Sequence, residues 1–133
     1  MANYTASARS NKFRVKDISA LEQDMHPAIE VHIEDQTSNT VCLLVTDDDG
    51  AGWPTWIEDE HKGEPVNVPW SIVSVVAPHL IDGEWCVIQE VGSEKLRYLV
   101  GHSMAFNNQS VVINVDIGDI YKQLPAGVTP CSY

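Results

Sequence analysis

Two alternating stretches, Glu84–Val91 and Lys95–Phe106, joined by Gly92-Ser93-Glu94, constrain this chain more than any other feature. Side chains on a strand point alternately to opposite faces, so Leu96, Tyr98, Val100, Met104 and Phe106, all of one parity, make an apolar face. The short glycine-containing link predicts a tight antiparallel hairpin. Asn107-Asn108 marks a further turn into Val111–Val115, a third strand.

The rest of the chain supplies more strands and a few short helices. Lys12-Phe13-Arg14-Val15-Lys16 alternates strictly, with Phe13 and Val15 on one face and three cations on the other. Asp17 is placed to cap a two-turn helix through Ile18, Leu21 and Met25 that Pro27 ends. Ile29, Val31 and Ile33 alternate with Glu30, His32 and Glu34. After the polar turn Asp35–Asn39, Val41–Val45 reads as a central strand pairing with them as a hairpin. Asp47-Asp48-Asp49-Gly50-Ala51-Gly52 reads as a turn, Trp53–Ile57 as an edge segment because of Pro54, and Glu58–Pro65 as an exposed acidic loop. A second unit begins near Asn67. Pro69 suits a first helical turn and Ile72, Val73, Val75 and Val76 share a face, although their β-branching leaves a strand over 71–76 open. Asp116 caps a last helix with Ile117, Ile120, Tyr121 and Leu124 on its buried side.

Runs of strands interrupted by isolated helices predict an α+β fold: a mainly antiparallel sheet with about three short helices packed on one face. The 133 residues fit a single domain, 1–133, with residues 1–10 as a flexible N-terminal arm and 126–133 as a C-terminal tail. The expected core comprises Phe13, Val15, Leu21, Val31, Ile33, Val41, Leu43, Val45, Ile72, Val76, Val87, Leu96, Tyr98, Val100, Ile113, Ile120 and Leu124. No apolar run reaches membrane-spanning length and the N-terminus lacks a secretory apolar region, so a cytosolic location is expected. Cys42 and Cys86 lie in apolar strand patterns and read as packing thiols, with Cys131 in the tail.

Charge is distributed unevenly. The net charge is −11, yet residues 1–16 hold Arg9, Lys12, Arg14 and Lys16 and no acid, whereas 17–64 hold thirteen acids against Lys62 alone. Such a field repels nucleic acid from most of the surface and attracts basic surfaces. The cations of the arm read either as the wet face of a strand or as phosphate contacts with Phe13 available for stacking.

Motifs for chemistry are absent. Asp47-Asp48-Asp49-Gly50 fails the register of a calcium loop, since the glycine would put Val45 at the first ligand position and Trp56 at the twelfth. The five histidines form no HxH, HxxxH or HExxH pair, no GxSxG elbow exists, and Gly50-Ala51-Gly52 leads into no phosphate loop. No enzyme activity, metal or cofactor is therefore expected. Trp53 and Trp56 are open to two readings: lids over the sheet edge, or aromatic anchors of an interface inside an acidic rim.

Ser7-Ala8-Arg9-Ser10-Asn11-Lys12-Phe13-Arg14-Val15-Lys16-Asp17 and Glu90-Val91-Gly92-Ser93-Glu94-Lys95-Leu96-Arg97-Tyr98-Leu99-Val100-Gly101 resemble stretches of small, mostly uncharacterised proteins of phages, plasmids and integrative elements. Gly52-Trp53-Pro54, Ala77-Pro78-His79-Leu80 and Asp119-Ile120-Tyr121 are similar to that group too. The resemblance covers roughly a third of the chain, departs from the group's usual aromatic at Lys12, and brings no catalytic residues. It implies a mobile-element protein, among which anti-CRISPR and anti-restriction inhibitors present carboxylates where nucleic acid would bring phosphates.

The expectation is an inhibitor whose acidic patch, Asp47, Asp48, Asp49, Glu58, Asp59 and Glu60 with Trp53 and Trp56, engages a protein partner with a basic surface, such as a nuclease or CRISPR effector subunit. Direct nucleic-acid or membrane binding is not expected. The alternatives are a non-catalytic accessory or scaffold module, dimeric through a sheet edge, and a small enzyme with a cryptic site.

Overall fold

A computed structural model describes residues 4–46, 52–61, 63–94 and 98–129. Within them the order is β1 (Thr5–Ser10), β2 (Phe13–Arg14), α1 (Ile18–Asp24), β3 (Ile29–Asp35), β4 (Thr40–Val45), β5 (Trp56–His61), β6 (Glu64–Pro69), α2 (Ile72–Val76), β7 (Cys86–Glu94), β8 (Tyr98–Phe106) and β9 (Val112–Asp116). Short 3-10 segments follow α2 at Ala77–His79 and β9 at Ile117–Gln123. The fold is α+β, as the strand-and-helix pattern requires.

Seven strands make one antiparallel sheet. β4 carries β3 on one edge, and on the other the end of β1 followed by β2. β1 pairs along its whole length with β7, and β7, β8 and β9 run on as a meander. Within the expected arm, residues 1–3 lie outside the described residues, and Thr5–Ser10 is an interior strand of the sheet. Its Ser, Thr and Ala residues hide it from a search for apolar alternation, because backbone pairing rather than side-chain burial holds it. The break between β1 and β2 is stitched by side chains. Ser10 Oγ accepts from Leu43 N–H at 2.8 Å and donates to Asn11 O, while Asn11 Oδ1 accepts from Val87 N–H at 2.8 Å and its amide nitrogen donates to Trp85 O.

The core lies between one sheet face and the two helices. Phe13, Val15, Val41, Leu43, Ile88 and Phe106 meet Ile18 and Leu21 of α1 and Ile72 and Val76 of α2, with Leu80 closing the layer. Each such side chain is worth about 1.5–3 kcal/mol when removed from water. Asp17 caps α1 by accepting from Ser19 N–H at 3.0 Å. Residues 72–76 are helical despite their β-branching, since Ser71 caps them and Ile72 and Val76, four apart, point into the core together. Pro69 accordingly ends β6 rather than opening a helix.

Other expectations shift. Phe13 and Val15 are buried and their neighbouring cations exposed, but only Phe13–Arg14 is strand, and Val15 makes an isolated bridge to Leu80. Trp56–His61 and Glu64–Pro69 are paired strands where an edge segment and an acidic loop were expected. The β7–β8 ladder continues through Gly92↔Val100 to Glu94↔Tyr98, so Gly92, Ser93 and Glu94 belong to a strand, and residues 95–97, Leu96 included, lie outside the described residues. Ile33, Ile113, Ile120 and Leu124 were assigned to the core and are exposed. Val31 and Val45 only flank it. Cys42 and Cys86 are buried free thiols, and burial pushes the pKa of both up, making them weaker acids. Cys131 lies outside the described residues, among which no helix is long and apolar enough to cross a membrane.

Two outcomes follow from this packing. Deleting residues 1–10 withdraws an interior strand and should abolish cooperative urea unfolding, whereas loss of a loose arm would leave the midpoint unchanged. Glu84 Oε1 accepts from both the backbone N–H (2.8 Å) and Nε (3.1 Å) of Arg14, and the side-chain hydrogen bond to Arg14 holds its carboxyl below the usual range. A depressed folded-state value stabilises above the unfolded carboxylate range and is lost as pH falls through the folded one. The stability difference between wild type and Glu84→Gln should therefore be largest above about pH 5 and close on acidification, measured by urea unfolding at several pH values.

Candidate partner-binding site

The β5–β6 hairpin stands apart from the main sheet as its own two-stranded ladder, in register from Trp56↔Pro69 to His61↔Glu64. Its alternation gives neither face a continuous apolar set, which is why it does not bury. Glu58, Asp59 and Glu64 are exposed. Glu60 pairs with Pro65 in the same ladder, and Lys62 is the one base in the sequence from 56 to 69.

The base of the hairpin is fixed by hydrogen bonds. Trp70 N–H donates to Thr55 O at 2.8 Å and closes it. His26 Nδ1 accepts from Ala28 N–H at 3.0 Å, which leaves the proton on Nε2 to donate to Trp56 O at 2.7 Å. The same imidazole packs edge-on against Trp70, ring centroids 5.1 Å apart. His26 therefore ties the strand–helix corner at 26–28 to both ends of the hairpin. Trp56 itself is 57% exposed.

Both ends of the hairpin run into the wall of a cavity of about 500 Å³. Trp53, Pro54 and Thr55 form one side, Trp70 and the first residues of α2 another, and Ile88 and Met104 of the sheet an apolar floor. Glu90 and His102, register partners on β7 and β8, add polar groups. Glu90 has the parity of Cys86 and Ile88, so it continues the core face beyond the end of the helices and is only 9% exposed. Trp53 N–H donates to its Oε1 at 2.9 Å and Tyr4 OH to its Oε2 at 2.7 Å. Trp53 is held further by its indole N–H on Gln89 O at 3.1 Å. Gly52, at φ +85°, passes so close that a Cβ there would overlap the Glu90 carboxylate. Among the described residues no cationic side chain lies within ion-pairing distance of Glu90.

The sequence-predicted residues divide accordingly. Trp53 walls the cavity and packs against the core, Trp56 stands exposed at the hairpin base, and Glu58, Asp59 and Glu60 lie along β5. Trp53 is thus partly buried against the sheet, and Trp56 is left exposed. Asp47, Asp48 and Asp49 lie outside the described residues. Sequence reasoning missed Tyr4, Trp70, Glu90 and His102. Parity marked Glu90, a carboxylate in register with buried Cys86 and Ile88, but hairpin-flanking acids are ordinarily solvated. No cluster of three metal-ligating side chains occurs among the described residues.

His26→Ala should loosen the hairpin base while leaving the main sheet intact. Amide exchange in β5 and β6 should quicken roughly tenfold, the equivalent of one or two lost hydrogen bonds, with exchange in β7 and β8 unchanged.

The chain matches no protein-family model, and no curated protein and no solved structure is significantly similar to it.

Proposed function

We propose that this protein is a non-catalytic binding module that docks its acidic hairpin onto a basic, nucleic-acid-binding surface of another protein and inhibits it by occupying the place of phosphates. One observation carries the reading: a hairpin rich in exposed carboxylates rises directly from the rim of a tryptophan-walled cavity that contains a buried carboxylate with no cation paired to it among the described residues. Hairpin carboxylates attract a cationic surface over a distance of about a Debye length, roughly 8–10 Å at physiological salt. At contact, Trp56 supplies an exposed aromatic anchor, the residue type enriched among energetic hot spots. The cavity is sized for a lysine or arginine side chain, its stem against Ile88 and Met104 and its charge between Trp53, Trp70 and Glu90. Cation–π contact adds about 0.5–2 kcal/mol, and the Glu90 carboxyl offers the cation a polar partner at the cavity wall.

The mobile-element resemblance of the sequence supports a host defence nuclease or CRISPR effector subunit as the basic partner. Catalysis draws less support. Both Glu90 oxygens are occupied by donors that fix Trp53 and Tyr4, and Ser71, which lines the cavity, spends its hydroxyl on capping α2.

The test uses affinity purification from host cells followed by titration of the captured partner. Glu58→Lys, Asp59→Lys and Glu60→Lys together should weaken binding at least a hundredfold and flatten its salt dependence, and Trp56→Ala should weaken it tenfold or more. Undiminished binding by the triple variant would sink the phosphate-mimic reading.

A further inference from the structure

We propose that the chain forms a two-fold symmetric dimer by pairing β9 with β9 of a second copy, joining the two main sheets. The two edges of the sheet are built differently. The β3 edge carries Glu30, His32, Glu34 and Asp35 and a register shift between Ile33 and Asp35, the charges and bulge that keep an edge from pairing. The β9 edge has no register shift and a single charge, Asp116 at its end. Its sequence is Val-Ile-Asn-Val-Asp, its ladder to β8 is regular, and among the described residues nothing pairs with its outer side.

The surface beside that edge is largely apolar, and no element among the described residues covers it. On the sheet face turned away from the core, Ile113 and Val115 are 53% and 56% exposed, next to Val91 at 62% and Leu99. The following 3-10 segment lays Ile117 over Gly101, where a Cβ would come within 2.9 Å of Ile117 Cγ2, and leaves Ile120 exposed alongside. Exposed apolar side chains grouped on one face in this way suit an interaction site.

Charge selects the occupant. Residues 98–133 carry Asp116, Asp119 and Lys122, a net of −1, whereas residues 1–97 carry −10. A cationic partner is drawn to the acidic part of the chain, away from β9. A second copy meets little repulsion here, where an uncharged stretch of one edge faces the same stretch of the other. Antiparallel edge pairing about a two-fold axis is also self-complementary, since one patch serves both sides. The β9 edge shares no residue with the proposed partner-binding hairpin, so the two readings stand or fall separately.

Light scattering after gel filtration tests the dimer. At roughly 100 µM, well above a micromolar Kd, wild type should have twice the 14.7 kDa chain mass. The mass should persist in 0.5 M salt (about a 4–5 Å Debye length), because the contact is apolar. A monomer mass throughout would overturn the proposal. So would a dimer that salt dissolves, which would point to the basic residues 9–16 of one copy meeting acids of another. Ile113→Glu with Val115→Glu should give a monomer with unchanged circular dichroism, both side chains being over half exposed. A dimer surviving those changes would rule out this edge. Should the double variant fail to fold, hydrogen exchange of the wild-type β9 amides decides: protection that rises with concentration supports pairing, and flat protection excludes it.

Discussion

A seven-stranded sheet has more surface than two helices of seven and five residues can cover, and the architecture follows from that shortage. The helices reach only the end of one face where Phe13, Val41, Leu43, Ile88 and Phe106 lie. There the packing is dry and the strands read as apolar runs. Beyond the helices the same face continues through Glu90 and His102, and it is roofed by a loop and two tryptophans instead of by a packed element. The cavity is what remains where the cover is thinnest.

That arrangement places polar chemistry on a core-facing position. A carboxylate at Glu90 would be costly under a helix. Under the 52–53 loop it has a role, since it accepts the Trp53 N–H and the Tyr4 hydroxyl and so ties the loop and the N-terminal strand to β7. Gly52 is the corresponding concession of the backbone, adopting a left-handed conformation so that the loop can sit against the carboxylate. The hairpin is then positioned by what anchors its two ends, Thr55 and Trp70, rather than by burial of its own side chains. An element held at its base and solvated along its length can carry several like charges without destabilising the core.

The same shortage explains the other face. Among the described residues no layer covers Val91, Leu99, Ile113 and Val115, and the sheet exposes their apolar surface. At the opposite edge His32 lies between Glu30 and Glu34, at 3.6 and 3.8 Å, and Lys12 reaches Glu34 at 3.5 Å, a polar arrangement suited to remaining in water.

The sequence by itself determined the class and much of the element list. Strict alternation in Ile29–Glu34, the apolar run Val41–Val45, the β7–β8–β9 meander and the caps at Asp17 and Asp116 are local signals, written in spacing and in single polar residues. The acidity of residues 58–60 was equally legible. Tertiary structure decided the rest, because it depended on partners distant in the chain. Thr5–Ser10 became an interior strand through backbone pairing with residues 88–93, which leaves no apolar signature. Trp56–His61 and Glu64–Pro69 became a hairpin with no fully buried side chain among the described ones, and Ile113, Ile120 and Leu124 lost their expected burial because no element among the described residues covers them. Side-chain pattern announces a strand or helix when its own burial forms it. Where cross-strand hydrogen bonds or a missing layer decide the outcome, only the assembled sheet reveals it.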